Sequence, residues 1–127
     1  MDLETIQSMW VKDTQIDQDN LHDEAAKIPS LHAKYFDIYN NIKLLRERST
    51  TLENKIKLDR HLYYTGKVRE KDAVQRYMLA DEKVQSATLK IKYYDVMLTY
   101  LEDIIKQVSN RGYLIKNIID WHNFRAG

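Results

Sequence analysis

The sequence predicts an all-α protein: a long antiparallel helical hairpin with heptad seams, flanked by short N- and C-terminal helices and assembled as a homo-oligomer. Three observations carry this. Three glycines and one proline in 127 residues leave few places for tight turns, which argues against a sandwich or barrel. Two long apolar stripes recur at helical spacing. A chain of this length fits one domain and lies near the size at which association helps stability. Cysteine is absent, which excludes disulfide scaffolds, thiolate metal sites and cysteine nucleophiles and fits a reducing compartment. Met1 to Val11 is acidic and mixed, unlike a secretory signal, and no apolar run approaches the roughly 20 residues of a membrane span. The expected setting is cytoplasmic, with no membrane partner.

Leu3, Ile6, Met9 and Trp10 predict a small amphipathic helix, followed by a polar linker from Asp13 to Asn20. Leu31, Tyr35, Ile38, Ile42, Leu45, Ser49, Leu52, Ile56, Asp59 and Tyr63 then alternate at steps of four and three. A helix through them is about 50 Å long at about 1.5 Å per residue, with one seam along its side. It starts near Pro29, which a first turn tolerates, or from about Asn20 with a kink at the proline. Thr65–Gly66 ends it, with Gly66 suited to a left-handed cap. A second stripe runs through Tyr77, Ala80, Val84, Ala87, Ile91, Tyr94, Leu98, Leu101, Ile105 and Val108. Beside it lies another apolar row, Leu89, Tyr93, Met97, Tyr100 and Ile104, which calls for an additional covering surface.

Gly112 is expected to break the chain again before a final helix from about Tyr113 to Phe124. The apolar residues Tyr113, Leu114, Ile115, Ile118, Ile119, Trp121 and Phe124 spread over about 240° of that helix. Such a helix is either tucked into its own core or buried against other subunits. The single domain 1–127 thus divides into N-terminal helices (1–66), a second long helix (67–109) and a C-terminal oligomerisation helix (110–127).

The near-neutral net charge of +1 hides an asymmetry. Residues 1–42 carry three Lys against eight acids, and residues 43–76 carry ten Lys or Arg against five. A basic middle beside an acidic leader suggests a localised anionic partner, or a leader that shields the basic zone. His22, His32, His61 and His122 have no spacing that converges as metal ligands, and no serine, lysine or glycine-rich loop shows a catalytic setting. Neither an enzyme nor a cofactor is expected. The segment from Lys55 to Lys71 stands out: Lys55, Lys57, Arg60, His61, Lys67, Arg69 and Lys71 surround Tyr63, Tyr64 and the Gly66 turn. Single strands need cations for phosphates and aromatic faces for unstacked bases, and both occur here. Tyr63 falls on the heptad row, so Tyr64 is the stacking candidate. The residues alone leave a second reading open, a helical adaptor whose charged run is a solvated face.

Two segments carry a resemblance. Arg60 with Tyr63-Tyr64-Thr65-Gly66-Lys67 resembles the Tyr-Tyr-Ser-Gly-Arg element of the UvsY family, the recombination mediators of T-even phages. The run Asn110-Arg111-Gly112-Tyr113, Ile115-Lys116, Ile118, Asp120, Phe124 and Ala126-Gly127 is similar to that family's C-terminus. Ala80-Asp81, Val84, Tyr93 or Tyr94, and Leu98 fall between them in similar order. Two departures stand out: Leu58 occupies the place of a family lysine, and the linker after Gly66 is shorter. The resemblance implies a ring-like hexamer or heptamer that binds single-stranded DNA and contacts a RecA-like recombinase and a single-strand DNA-binding protein. It implies that the basic element meets DNA, that the C-terminal part makes the oligomer, and, for a phage product, that the host cytoplasm is the setting.

Overall fold

The computed structural model describes residues 1–127, and every element in it is helical. In chain order they are α1 (Leu3–Asp13), α2 (Leu21–Ala26), α3 (Ile28–Thr65), α4 (Lys71–Ala80) and α5 (Glu82–Ala126). None is long and apolar enough to cross a membrane. The chain forms two compact units: Met1–Asn40 with Thr99–Gly127, and Asn41–Leu98.

In the first unit, α1 begins where Asp2 Oδ1 accepts from the Thr5 amide at 2.8 Å, filling one of the donors a helix start leaves open. The expected amphipathic face is present, with Ile6 and Trp10 buried. Trp10 meets Tyr35 edge-on at 5.5 Å between ring centroids. The Tyr35 hydroxyl donates to Asp13 at 2.7 Å, and Lys34 joins the same carboxylate at 2.6 Å. Leu101, Ile104, Val108 and Ile115 complete the buried apolar set of this unit. The chain resolves the two starts considered for the long helix by using both places. Asn20 precedes the short α2, and α3 begins anew at Ile28 with Pro29 in its first turn.

Arg111 is buried in the same unit and satisfied by three acceptors. It donates to the carbonyls of Thr14 at 3.2 Å and Gln15 at 2.8 Å, and to Glu24 Oε2 at 3.2 Å. One guanidinium thereby ties the linker after α1 and helix α2 to α5. This explains why the expected break at Gly112 does not occur: α5 runs through it to Ala126. Val108, Arg111 and Ile115 lie on one buried stripe at steps of three and four. A mid-helix glycine costs about 1 kcal/mol relative to alanine, whereas each large buried apolar chain is worth about 1.5–3 kcal/mol. Packing wins, and there is no separate C-terminal helix.

In the second unit, α3 and α5 run antiparallel, as side-chain hydrogen bonds stepping by seven residues in opposite directions show. Arg46 pairs with Asp95, Thr88 donates to Glu53 at 2.9 Å, and Arg60 Nε donates to Asp81 at 2.8 Å. The second long helix does not start near residue 67. A short α4 comes first, and its residues Val74 and Met78 form a buried cluster with Val84, packed by Ile56, Tyr64 and Val68. Within the second stripe Val84 and Leu98 are buried, whereas Tyr77 belongs to α4 and is exposed. Of the additional row, Met97 is buried within this unit while Leu89 stays exposed.

Continuity of α5 through Gly112 has a direct consequence. A Cβ built on Gly112 finds its nearest neighbour, Ile28 Cδ1, at 4.0 Å, an ordinary contact. Gly112→Ala is expected to stabilise the protein by about 1 kcal/mol, raising the thermal midpoint by a few degrees in circular dichroism. A lowered midpoint would instead mark residue 112 as a helix terminus.

Candidate nucleic-acid interface

The basic segment occupies the end of α3, the connection 66–70 and the start of α4. Its geometry is governed by Asp81, the residue between α4 and α5. Asp81 has extended backbone angles, φ −67° and ψ 126°, so α4 stops there. Its Oδ1 accepts from the Val84 amide at 3.0 Å and thereby caps α5. Its Oδ2 accepts from the Tyr64 hydroxyl at 2.6 Å and from Arg60 Nε at 2.8 Å. Arg60 and Tyr64 stand four residues apart, one helical turn, so both reach the same carboxylate. The Tyr64 hydroxyl, the Val84 amide and the Arg60 guanidinium outweigh the burial of Asp81 and hold its carboxyl well below the usual carboxylate range.

This arrangement reverses the expected roles of the two tyrosines. Tyr64 turns inward, joins the α4 cluster and stacks on Tyr77 at 5.5 Å. Tyr63, expected in the seam, is 43% exposed. The pairing register explains the reversal. Arg60 lies opposite Asp81 and α5 begins at Glu82, so no α5 residue remains to cover the row beyond Arg60. The cover there comes from α4, on the side of Tyr64. Tyr63 is left between two cations, with Arg60 Cζ 4.3 Å and Lys67 Nζ 4.5 Å from its ring centroid. Lys67, by hydrogen bond and charge, and Arg60 keep its phenol below the usual tyrosine value.

α3 also ends differently from the expected left-handed cap. Gly66 has no positive φ; its amide bonds to the Leu62 carbonyl at 3.2 Å, and Val68 N bonds back to Tyr64 O at 2.8 Å. The chain therefore leaves α3 in a right-handed winding and forms an elbow into α4. A groove of about 590 Å³ lies in this elbow, lined by His61, Lys67, Arg69 and Lys71 together with Val68 and Val74.

The candidate residues thus fall into three groups. His61, Lys67, Arg69 and Lys71 come together at the groove. Arg60 and Tyr64 are engaged by Asp81, and Lys57 pairs with Glu53 at 3.3 Å. Lys55 is exposed on α3, apart from the groove. Sequence reading missed Asp81 and the exposed ring of Tyr63. The signal for Asp81 was present: an Asp-Glu pair just ahead of the periodic run from Val84 marks a helix start. Among the C-terminal candidates, Ile115 is only 2% exposed and belongs to the chain's own core, and Ile118 is half-buried. Tyr113, Leu114, Ile119, Trp121 and Phe124 are exposed, and the last two stack at 5.7 Å.

Two expectations follow for the elbow. Tyr64→Phe removes a donor from Asp81 and is expected to lower the thermal midpoint by about 5 °C, while Tyr63→Ala leaves it within about 1 °C. Equal losses in the two variants would return Tyr63 to the core. The second concerns pH. A carboxyl whose folded pKa lies below its unfolded value of about 3.9 contributes stability above that value and loses it as pH falls further. Asp81→Asn is therefore expected to be less stable than the parent at about pH 7, with the gap narrowing steadily as pH falls below about 4. An offset that stays constant with pH in urea titrations would show that the carboxylate charge contributes nothing.

No curated protein matches the sequence. The family model for the recombination, repair and ssDNA binding protein UvsY matches residues 9–127. Crystal structures of the bacteriophage T4 recombination mediator protein UvsY share the fold. One superposes with a TM-score of 0.91 at 26% identity, covering 98% of this chain and 99% of that one. A second gives 0.86 at 28% identity, covering 100% and 99%. The family match spans all but the first eight residues, including the whole elbow and the whole of α5, and on that ground the chain belongs to the UvsY family.

Proposed function

We propose that this protein is a recombination mediator. As a ring-like homo-oligomer, a hexamer or heptamer, it binds single-stranded DNA without sequence choice. It helps load a RecA-like recombinase onto strands coated by single-strand DNA-binding protein. The observation that carries the DNA part is the exposed ring of Tyr63 between Arg60 and Lys67, beside the cationic elbow. An unstacked strand offers phosphates and bare base faces, and this surface offers cations and a ring. The family description and the mediator named in the T4 structures support the wider role. The work needs no covalent step: partners exchange on the strand through coupled binding free energies.

The oligomer part rests on the end of α5. Trp121 is 57% and Phe124 75% exposed, beside exposed Tyr113, Leu114 and Ile119. Leaving several such side chains in water favours association, at about 1.5–3 kcal/mol for each one buried. Assembly would repeat a weak strand site around one particle and raise affinity through avidity. Deleting everything after Asn110 is a poor probe, because it also removes Arg111 and Ile115 from the first unit's core. Substituting the two exposed rings is cleaner.

The test joins sedimentation with oligothymidylate binding across a salt series. The parent is expected to run as an oligomer and to prefer single strands to duplex. Its log–log salt slope should be about −2 to −3 for three to four phosphate contacts, each worth about 0.7. Trp121→Ser with Phe124→Ser is expected to give smaller species that stay helical and bind strands more weakly at physiological salt. A flat salt response, or equal affinity for duplex, favours a helical scaffold with no DNA role. A double variant that sediments like the parent moves the interface elsewhere.

A further inference from the structure

The last turns of α3, from Lys55 to Thr65, are poor in available cations. Leu58, 61% exposed, stands where the resemblance expects a lysine. Arg60 is committed to Asp81, and Lys57 is paired with Glu53. Lys55 remains, flanked on the outside of α3 by exposed Leu58 and Leu62.

The elbow between α3 and α4 has the opposite character. Lys67, Arg69 and Lys71 alternate along it, are all exposed and form no ion pair with a carboxylate. Glu70 and Asp72 lie in the same stretch, yet the groove is lined by the three cations and by neither acid. Its remaining walls include the ring of His61 and the side chains of Val68 and Val74, which offer apolar area between the charges. Val74 is buried and Val68 half-buried against the α4 cluster, so the groove has a firm base. Lys67 belongs to both the groove and the Tyr63 ring, making the two surfaces continuous.

We propose that this groove is the seat of the strand: Lys67, Arg69 and Lys71 hold successive phosphates of single-stranded DNA. A sugar or base edge rests against Val68 and His61, and a neighbouring base reaches Tyr63. Arg60 and Tyr64 are positioning residues that fix the elbow through Asp81. The cationic function sits on the connection into α4 and no longer on the outer face of α3. This seat rests on the single-strand reading above, and the test separates the two.

Binding of a fluorescein-labelled oligothymidylate is measured across a salt series for the full-length parent, Arg69→Ala, Lys71→Ala and Lys55→Ala. The substituted side chains are exposed, so the variants keep the fold, with sedimentation and circular dichroism as checks. Arg69→Ala and Lys71→Ala are each expected to reduce the salt slope by about 0.7, one phosphate contact, while Lys55→Ala leaves it unchanged. A parent that binds, with parental slopes in Arg69→Ala and Lys71→Ala, overturns the groove and leaves strand binding intact. A loss in Lys55→Ala equal to theirs also overturns it, by placing the strand along α3. A parent that does not bind at all removes both the groove and the reading beneath it.

Discussion

Asp81 is the residue on which the second unit turns. A single carboxylate stops α4, caps α5 through the Val84 amide, and receives Tyr64 and Arg60 from α3. Its position opposite Arg60 ends the α3–α5 pairing, which decides what can cover the last turns of α3. Tyr64 is covered by α4 and Tyr63 is not. The exposed ring is therefore a consequence of where α5 begins, and the cations around it gather because the chain must turn back into α4. A buried carboxylate is tolerated here because both oxygens have donors and one donor carries charge.

The first unit depends on a comparable device with the charges exchanged. Arg111 is the buried ion, and Glu24 with two linker carbonyls satisfies it. A buried ion pair does not by itself prove stabilising, since desolvation offsets much of the attraction, yet removing one partner strands the other. The pair specifies which stretch of the polar linker lies against α5. Together with Val108 and Ile115 it commits α5 to remain helical through Gly112, so the exposed rings of Trp121 and Phe124 ride on a continuous helix.

What was legible in the sequence follows from what periodicity measures. Spacing reports which side chains share a face, so α1, the span of α3 to Thr65 and the stripe from Val84 to Val108 could be read directly. It is blind to a one-residue corner. Tyr77, Ala80 and Val84 keep steps of three and four across Asp81, so periodicity predicts one helix where α4 and α5 meet. The exchange of Tyr63 and Tyr64 follows from that one corner. Gly112 errs in the other direction: a glycine signals a break, but its local cost of about 1 kcal/mol is overridden by the buried face of Val108, Arg111 and Ile115. The basic cluster was legible as composition. Its division into engaged and available charges was not, because ion pairing across the fold joins residues as far apart as Arg60 and Asp81.

Segment charge is a coarse guide for the same reason. Of the eight acids in the leader, four have partners within the first unit. Asp2 caps α1, Asp13 takes Lys34 and Tyr35, Asp17 ties down Asn20, and Glu24 receives Arg111. In the basic middle Arg46, Lys57 and Arg60 are likewise spent on Asp95, Glu53 and Asp81. What an approaching polyanion meets is the remainder, and three of the remaining cations, Lys67, Arg69 and Lys71, share one groove. A chain with a formal charge of +1 can in this way present a local cationic surface without a global field. A few charges at one elbow make a weak site for a polymer of phosphates, and a weak site gains most from being repeated. The same economy of charge that leaves each elbow modest gives the exposed end of α5 its importance in the proposed assembly.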